Sequence, residues 1–456
     1  MAREGEQTMA APPRPADPNW PIFHARPRAH WINDPCGPIV VDGRCHLFFQ
    51  YNPFGAAWGN MHWGHLSSHD LVHWRQEPIA LVQRPDGPDR DGVFTGCVVM
   101  DGPTPTALYT GIRPEVQCIA TASPDLRAWT QETAPILLDH PPGMTLTGFR
   151  DPQVFADSNG GWEMVLGAGL EHGLGAVLLY RSMTLRDWTF EGVLYQTPHA
   201  VETDATCECP DLFQLGGRDV LLYSRARACV ALLGERHDAR FTVARVMRLS
   251  HGVGYAVKTM LDDQGRRVAW EWLTETRPET AYVAAGWAGV MSLPRVLTLT
   301  ADGSVHVAPH PAIDALEGDT VERAGDVFSL PVGASATRAF RLRLHADLAQ
   351  PGSVRLESDR LLFALTLAPS AEGCTLTCGD TRVTLDTQTA LALDVLVDGS
   401  VVEVFTDGGL CVAERFYADT TTACRVSLRG GCTDARARMV LMTSASQPTT
   451  IAGGPG

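Results

Sequence analysis

The sequence predicts an all-β protein, namely a five-bladed β-propeller followed by a C-terminal β-sandwich. Three observations support this fold class. Short strands and turns repeat along the larger first part of the chain, alternating strands follow them, and strong helix signals are nearly absent. We assign residues 1–17 to a disordered lead, residues 18–310 to the propeller and residues 325–446 to the sandwich.

The repeat is clearest around three tryptophans. The pattern Ser-x-x-Leu-x-x-Trp occurs at residues 68–74, 123–129 and 182–188. It therefore recurs after roughly 55 to 60 residues, which is typical of propeller blades with about four short strands each. Two further blades are predicted, one opening near residues 91–96 and one that includes residues 254–272.

The second domain is predicted from a change in the pattern of apolar and polar residues. Residues 311–318 resemble a short helical link in which Gly318 serves as the C-cap. Apolar and polar residues then alternate with period two, and turn residues separate the runs, as in an antiparallel sandwich. The runs lie at residues 339–344, 361–367, 393–397, 401–405 and 424–428.

Three segments of the predicted propeller share one design. In each of residues 31–37, 149–155 and 207–213, an acid stands just before a proline, and a short strand follows. The segments fall early in their periods, where the innermost strand of a blade is expected. Their carboxylates are thus predicted to meet at one end of a central funnel.

Two carboxylates that flank one bond are the minimum apparatus for glycoside hydrolysis. Asp34 has Asn33 beside it as a hydrogen-bond donor, which suits a charged nucleophile. Glu208 lies between two cysteines, and such a less polar setting raises the pKa of a general acid. Asp151 follows Arg150, which is expected to keep Asp151 ionised so that it can bind sugar hydroxyls. The alternative is that each acid caps a turn.

Aromatic and amide side chains crowd the region after the first acid, a combination that suits sugars because rings stack on apolar C–H faces. They are Trp31, Phe49, Tyr51, Phe54, Trp58 and Trp63, with Gln50, Asn52 and Asn60. For Phe49 and Trp63 a place in the blade core is an equal alternative.

Composition excludes several classes of function. The formal net charge of −15 and a pI of about 5.4 argue against nucleic acid or an anionic membrane as a partner. Twelve cysteines occur without a C-x-x-C pair, and His62, His65, His69 and His73 lie in strand-like sequence, so a metal site is disfavoured. A neutral small molecule is the expected partner, and monomer and homo-oligomer both stay open.

The same cysteines, together with the N-terminal segment, indicate a compartment. Unorganised thiols fit a reducing cytosol, and residues 1–17 carry charges and prolines without an apolar core of a signal peptide. Met9 is an alternative start. No run of about 18 apolar residues occurs, so a membrane span is not expected. The sequence therefore predicts a cytoplasmic protein.

The motifs resemble those of glycoside hydrolase family 32, the invertases, levanases and inulinases. The family markers W-[MI]-N-D-P-N-G, F-R-D-P and E-C correspond to residues 31–37, 149–152 and 208–209. The resemblance runs in order from about residue 20 to 445. Its further matches are residues 50–53, 58–65, 70–74, 286–289, 293–295 and 397–405.

The resemblance implies retaining cleavage of β-fructofuranosides in sucrose or short fructo-oligosaccharides, without metal or cofactor. Asp34 would attack C2 of fructose, Glu208 would protonate the leaving oxygen, and Asp151 would hold fructose hydroxyls. The residues implied to line the fructose pocket are Asn33, Gln50, Trp58, Thr95, Arg150 and Trp287.

Three departures from the family pattern stand out. Cys36 replaces the usual Asn behind the nucleophile, and Thr95 replaces a frequent Ser. Residues 253–256 read Val-Gly-Tyr-Ala, whereas the family often has Asp-Phe-Tyr-Ala, and the missing Asp commonly binds the leaving sugar. Fructosyltransferase and fructan hydrolase therefore remain alternatives, followed by an inverting five-bladed glycosidase and a non-catalytic sugar-binding protein.

Overall fold

The computed structural model describes residues 17–158, 160–202, 204–325, 328–332, 338–358, 361–370, 373–385, 390–418 and 424–444. The predicted lead, except Asp17, and the chain after residue 444 lie outside the described residues. Strands dominate the remainder, in five propeller sheets and one sandwich, so the predicted fold class is confirmed. No helix in these ranges is long and apolar enough to cross a membrane.

The first three blades are four-stranded antiparallel meanders whose inner strand comes first. Blade 1 contains His30–Val41, Arg44–Asn52, His62–Ser68 and Trp74–Gln76. Blade 2 contains Gly92–Asp101, Thr104–Ile112, Val116–Ala122 and Trp129–Gln131. Blade 3 contains Leu146–Ala156, Trp162–Leu170, Gly175–Ser182 and Thr189–Gln196, with the 3₁₀ turn Glu171–Gly173.

The last two blades complete the ring. Blade 4 contains Glu208–Leu215, Arg218–Arg225, Ala228–His237 and Arg240–Arg248. Blade 5 contains Gly254–Leu261, Arg267–Leu273, Arg295–Leu299 and Val305–Pro309, with Val290–Met291 beside its second strand. The helix Glu279–Ala285 leads into Trp287–Ala288, which pairs in parallel with His30 and Trp31 and so joins the last blade to the first.

The tryptophan repeat forms the turn between the third and fourth strands of blades 1 to 3. Leu71, Leu126 and Leu185 all have positive φ, which turns the chain while a neighbouring side-chain oxygen accepts backbone N–H groups. In two of the turns the indole N–H also donates to the carbonyl of that leucine. The spacing of the motif therefore reports blade geometry.

Apolar side chains between neighbouring blades fill the propeller core. Phe48 and Trp63 of blade 1 pack with Val98 of blade 2, and Trp270 of blade 5 packs with Leu47 of blade 1. Phe49, Tyr51 and Trp63 are buried, so the core alternative holds for Phe49 and Trp63. Blade contacts of this kind fix the relative positions of the inner strands.

The sandwich consists of long antiparallel strands. They are Glu317–Ala324, Phe328–Val332, Ala339–Glu357, Leu361–Ser370, Gly373–Cys378, Thr381–Leu385, Ala390–Asp398, Val401–Thr406, Cys411–Arg415 and Cys424–Met442. The link is the 3₁₀ helix Pro311–Leu316, and its C-cap is Glu317. The prediction that Gly318 caps this helix is wrong, because Gly318 already lies in the first sandwich strand.

Buried charges join the sandwich to the propeller. Residues His251–Gly252 pair in parallel with a sandwich strand. His24 bridges Asp398 and Glu403 at 2.8 and 3.0 Å, and Glu403 also binds Arg295 of blade 5 at 2.6 Å. None of these four side chains has more than 2% exposure. Because a buried charge without a partner is costly, this network holds the two domains in one arrangement.

Candidate active site

The site is built from one bulge in each inner strand. Regular pairing with the second strand is interrupted near the same end of every blade, and blades 1 and 3 each have one further interruption. Such bulges re-aim side chains, and three of the interrupted residues, Asp151, Cys209 and Ala256, have φ between 51° and 67°. The bulges comprise residues 33–34, 94–95, 151–152, 209–210 and 256–257. All three predicted acids lie at or next to a bulge.

Asp34 lies in a cage of hydrogen-bond donors. Its Oδ1 accepts from the Asn33 amide at 3.1 Å, and its Oδ2 accepts from Gln50 at 3.1 Å and Thr95 at 2.8 Å. The indole N–H of Trp31 donates to the Asn33 oxygen at 2.9 Å, which turns the Asn33 NH₂ group toward the acid. These donors hold the carboxylate in one rotamer, which suits a nucleophile.

Asp151 is buried at the bulge of blade 3. Its backbone N–H donates to Thr110 of blade 2 at 2.9 Å, and its Oδ2 accepts the Cys209 N–H of blade 4 at 2.9 Å. Burial raises the pKa of Asp151 to about 6, and the charge of Arg150 offsets only part of this rise. The sequence predicts that Arg150 keeps Asp151 ionised; Arg150 does favour the ionised form, although desolvation has the larger effect on this pKa.

Glu208 lies at the start of the blade 4 inner strand, with 28% of its side chain exposed. Its Oε1 accepts from Arg150 at 3.0 Å, and its Oε2 accepts from the Tyr255 hydroxyl. Burial raises the pKa of Glu208 to about 7, the negative charges of Asp151 and Asp34 add to this, and Arg150 and Tyr255 oppose it. A carboxyl group with such a pKa can donate a proton near neutrality.

Arg150, predicted to line the fructose pocket, contacts the candidate acid Glu208. Its guanidinium pairs with Glu115 at 2.9 Å, with Asp204, and with Glu208. Three carboxylates around one buried guanidinium fix its orientation, since each N–H group has a defined acceptor. The structure thus assigns to Arg150 a contact with the candidate acid that the sequence did not predict.

Two cysteine thiols lie beside the nucleophile candidate. The Cys209 Sγ is 3.7 Å from Oδ2 of Asp34 and 3.6 Å from Oδ2 of Asp151, so it separates the two carboxylates. The Cys36 Sγ donates to the backbone carbonyl of Asp34 at 3.4 Å. The Cys36 departure therefore supports the backbone of Asp34, and both thiols are buried with raised pKa values because of desolvation.

The two predicted tryptophans of the pocket lie in different environments. Trp58 is 57% exposed and packs edge-on against Phe94, which neighbours Thr95. Trp287 has no exposed surface, and its ring contacts Trp20, Arg26 and Arg277. The structure does not bring Trp287 to a surface that a substrate can reach.

Tyr255 is a site residue that sequence reasoning missed, although it stood inside the departing segment. Its hydroxyl reaches the candidate acid across the gap between blades 5 and 4. The neighbouring Val253 packs in a cluster with Val401 and Ala413 of the sandwich, and its N–H donates to the Ala413 carbonyl. The position of the missing Asp is thus used for domain contact.

No group of three or more His, Cys, Asp and Glu side chains suited to a metal ion occurs among the described residues. His46 and His65 contact each other at 2.8 Å, and burial lowers the pKa of His46 to about 4. Ten of the cysteines that the structure describes, all except Cys424, form no disulfide and are buried.

A five-bladed propeller with paired carboxyl groups, one caged by donors and one with a raised pKa, has the layout of a glycosidase. The profile described as "Glycosyl hydrolases family 32 N-terminal domain" matches residues 24–309, and the corresponding C-terminal profile matches residues 335–439. The chain belongs to glycoside hydrolase family 32.

Curated relatives agree with this assignment. "Sucrose-6-phosphate hydrolase" of Zymomonas mobilis is 35% identical over 322 residues, which cover 64% of this chain and 62% of the relative. The protein of the same name from Escherichia coli is 31% identical over 437 residues, 87% of this chain and 89% of the relative. The chain thus spans less than two thirds of the first relative's length but most of the second's.

Solved structures share the fold. Fructan 1-exohydrolase IIa from Cichorium intybus superposes with a TM-score of 0.82 at 22% identity, over 94% of this chain and 98% of that one. Sucrose-6-phosphate hydrolase from Lactobacillus gasseri gives a TM-score of 0.82 at 24% identity, over 94% of both chains. These likenesses extend through propeller and sandwich together.

Proposed function

We propose that the protein is a retaining β-fructosidase that cleaves sucrose or short fructo-oligosaccharides through a covalent fructosyl-enzyme intermediate. The observation that carries the proposal is the pairing of Asp34, held by three side-chain donors, with Glu208, whose pKa is raised to about 7. One carboxyl group is thereby suited to attack and the other to protonation. The names of its relatives support the substrate class.

In the first step the Asp34 carboxylate attacks C2 of the fructosyl unit while Glu208 gives its proton to the departing oxygen. In the second step the Glu208 carboxylate takes a proton from water, whose oxygen attacks C2 and releases Asp34. Asp151, ionised at neutral pH, accepts hydrogen bonds from fructose hydroxyls. Trp58 offers its exposed ring to an apolar sugar face.

Phosphorylated sucrose is a second candidate, because two relatives are named for it. The surroundings of Glu208 favour an uncharged leaving group, since Asp204 and Glu115 add negative charge beside Arg150. A phosphate would have to compete with these carboxylates for the guanidinium. Fructosyl transfer and fructan hydrolysis remain alternatives at the same site.

Product analysis tests the proposal. Incubation with sucrose, sucrose-6-phosphate, 1-kestose, inulin and levan is expected to release glucose and fructose in equal amounts from sucrose. In methanol, ¹H and ¹³C NMR are expected to show methyl β-fructofuranoside, since two inversions restore the configuration. An α-configured product would refute retention, and excess glucose with longer oligosaccharides would indicate transfer. If no product formed from any of the five substrates, the proposed function would be refuted.

Tyr255→Phe is expected to shift the basic limb of the kcat/KM profile upward by about one pH unit. The hydroxyl donates to the ionised form of Glu208, so its loss raises the pKa of Glu208 and keeps the acid protonated to higher pH. The measurement is kcat/KM on sucrose from pH 4 to 9. The control is Tyr195→Phe, whose ring packs with Tyr223 between blades 3 and 4; a downward shift or equal shifts would contradict the prediction.

A further inference from the structure

Lys258 is the only lysine in the 456-residue chain; every other basic residue among the 37 Lys and Arg is an arginine. It lies on the inner strand of blade 5 and has no exposed surface. A lysine ammonium is a compact point charge with three donors, whereas a guanidinium is a broad planar fork. The chain's one lysine is therefore a compact, fully buried cation on an inner strand.

The ammonium joins three blades beneath the acids. Its Nζ donates to Oε1 of Gln153 at 3.2 Å and to the carbonyl of Pro210 at 3.0 Å. Gln153 follows Asp151 by two residues on blade 3, and Pro210 follows Glu208 by two residues at the bulge of blade 4. A single side chain of blade 5 thus contacts both strand segments that carry these acids.

The charges around Lys258 are mostly negative. The pKa of the buried Cys209 thiol responds to Asp151, Asp34 and Glu208, which raise it, and to Lys258, which lowers it. Lys258 also lowers the pKa of Asp151. A fourth carboxylate, Asp211 of blade 4, is buried and accepts from the backbone and hydroxyl of Thr259 at 2.9 and 2.7 Å. Arg150 is a second cation, in contact with Glu208.

We propose that Lys258 is a positioning residue for the fructosidase reaction. Its ammonium holds the bulges of blades 3 and 4 in place and offsets the negative charge of the clustered carboxylates. Asp151 can then be ionised while Glu208 keeps its proton. The inference rests on the proposed function, because it assigns a role within that catalytic cycle.

Lys258→Met, which removes the charge and keeps the length, is the principal variant. We expect kcat on sucrose to fall about 100-fold while KM changes by less than about threefold, since preorganised charge acts on the reacting groups. The acid limb of kcat/KM is expected to move upward, because Asp151 loses a neighbour that favours its ionised form.

Arg267→Met is the matched control. Arg267 is also a cation of blade 5, but its guanidinium lies over the ring of Phe213, 4.5 Å from the centroid, and donates to the Thr259 hydroxyl at 3.4 Å rather than to a bulge residue. Its loss is expected to lower the melting temperature and leave the acid limb in place. Gln153→Met removes one acceptor and retains the charge; it is expected to lower kcat about tenfold without moving the acid limb.

A readout without substrate separates this proposal from the proposed function. The pKa of Asp151 is raised by burial to about 6, so ionising this group costs stability as pH rises from its unfolded value of 3.8. Without Lys258 that cost is larger. The stability gap between wild type and Lys258→Met, measured by urea unfolding, should be small at pH 4 and grow through pH 6 to 8.

Each outcome has a consequence. A gap independent of pH, or wild-type kcat with an unmoved acid limb in Lys258→Met, would overturn the proposal. Folding of Lys258→Met only at acidic pH would support it. If the variant folds at no pH, Gln153→Met decides, and wild-type kcat there would overturn it. A wild-type protein inactive on all fructosides would refute the proposed function, while the pH-dependent gap would still test the role of the charge.

Discussion

Asp34→Asn is expected to lower kcat on sucrose by at least about 10⁴-fold, as is usual when a covalent nucleophile is removed. The amide is not a nucleophile, yet its size is nearly that of the carboxylate, so the fold should persist. The same change removes a negative charge that raises the pKa of Glu208. Steady-state kinetics measure the loss of kcat, and the melting temperature checks that the fold persists.

Asp125→Asn provides the matched control for Asp34→Asn. Asp125 caps the outer turn of blade 2, where its carboxylate accepts from Ser123 at 2.6 Å and from the Arg127 N–H at 3.2 Å. The same chemical change there should leave kcat within about twofold, because surface caps contribute to stability alone. Activity of Asp34→Asn within tenfold of wild type would exclude Asp34 as the nucleophile.

Glu208→Gln is expected to lower kcat on sucrose about 10³-fold, the effect of losing a general acid. The loss should be much smaller for formation of the intermediate from β-fructofuranosyl fluoride, because fluoride departs without a proton. Azide, which needs no general base, should then attack the fructosyl-enzyme intermediate and release the fructosyl group as fructosyl azide. Burst kinetics with fluoride release, with and without azide, test these expectations.

Glu235→Gln is the corresponding control on the same blade. Glu235 lies on the third strand of blade 4, is exposed, and pairs with Arg218 at 3.3 Å. An exposed ion pair contributes little, so this variant should behave as wild type on both substrates. If Glu208→Gln were impaired equally on sucrose and on the fluoride, and azide had no effect, Glu208 would not be the proton donor.

Much of the architecture is readable from the sequence because local rules produce it. The Ser-x-x-Leu-x-x-Trp pattern predicts a blade turn, and the structure shows why, with a left-handed leucine in each copy. Period-two alternation predicts the sandwich strands in the same way. Gly318 illustrates the limit, because the end of a short helix depends on whether the next strand has already joined a sheet.

The candidate site also has a part that is readable from the sequence and a part that is not. The acid-before-proline design placed Asp34, Asp151 and Glu208 on three inner strands, as a repeated local pattern can. It could not reveal that Tyr255 contacts Glu208, because that contact crosses between blades. It also could not show that the tryptophan at 287 is fully buried.

The sequence by itself determined the fold class, the number of blades and the three candidate acids, since each follows from periodicity and turn chemistry within a short segment. Tertiary structure decided what surrounds those acids. Cys209 meets Asp34 across 175 residues of chain, and Lys258 meets Gln153 across 105. Only closure of the ring brings such residues together, and burial in the closed ring then raises the pKa of Glu208.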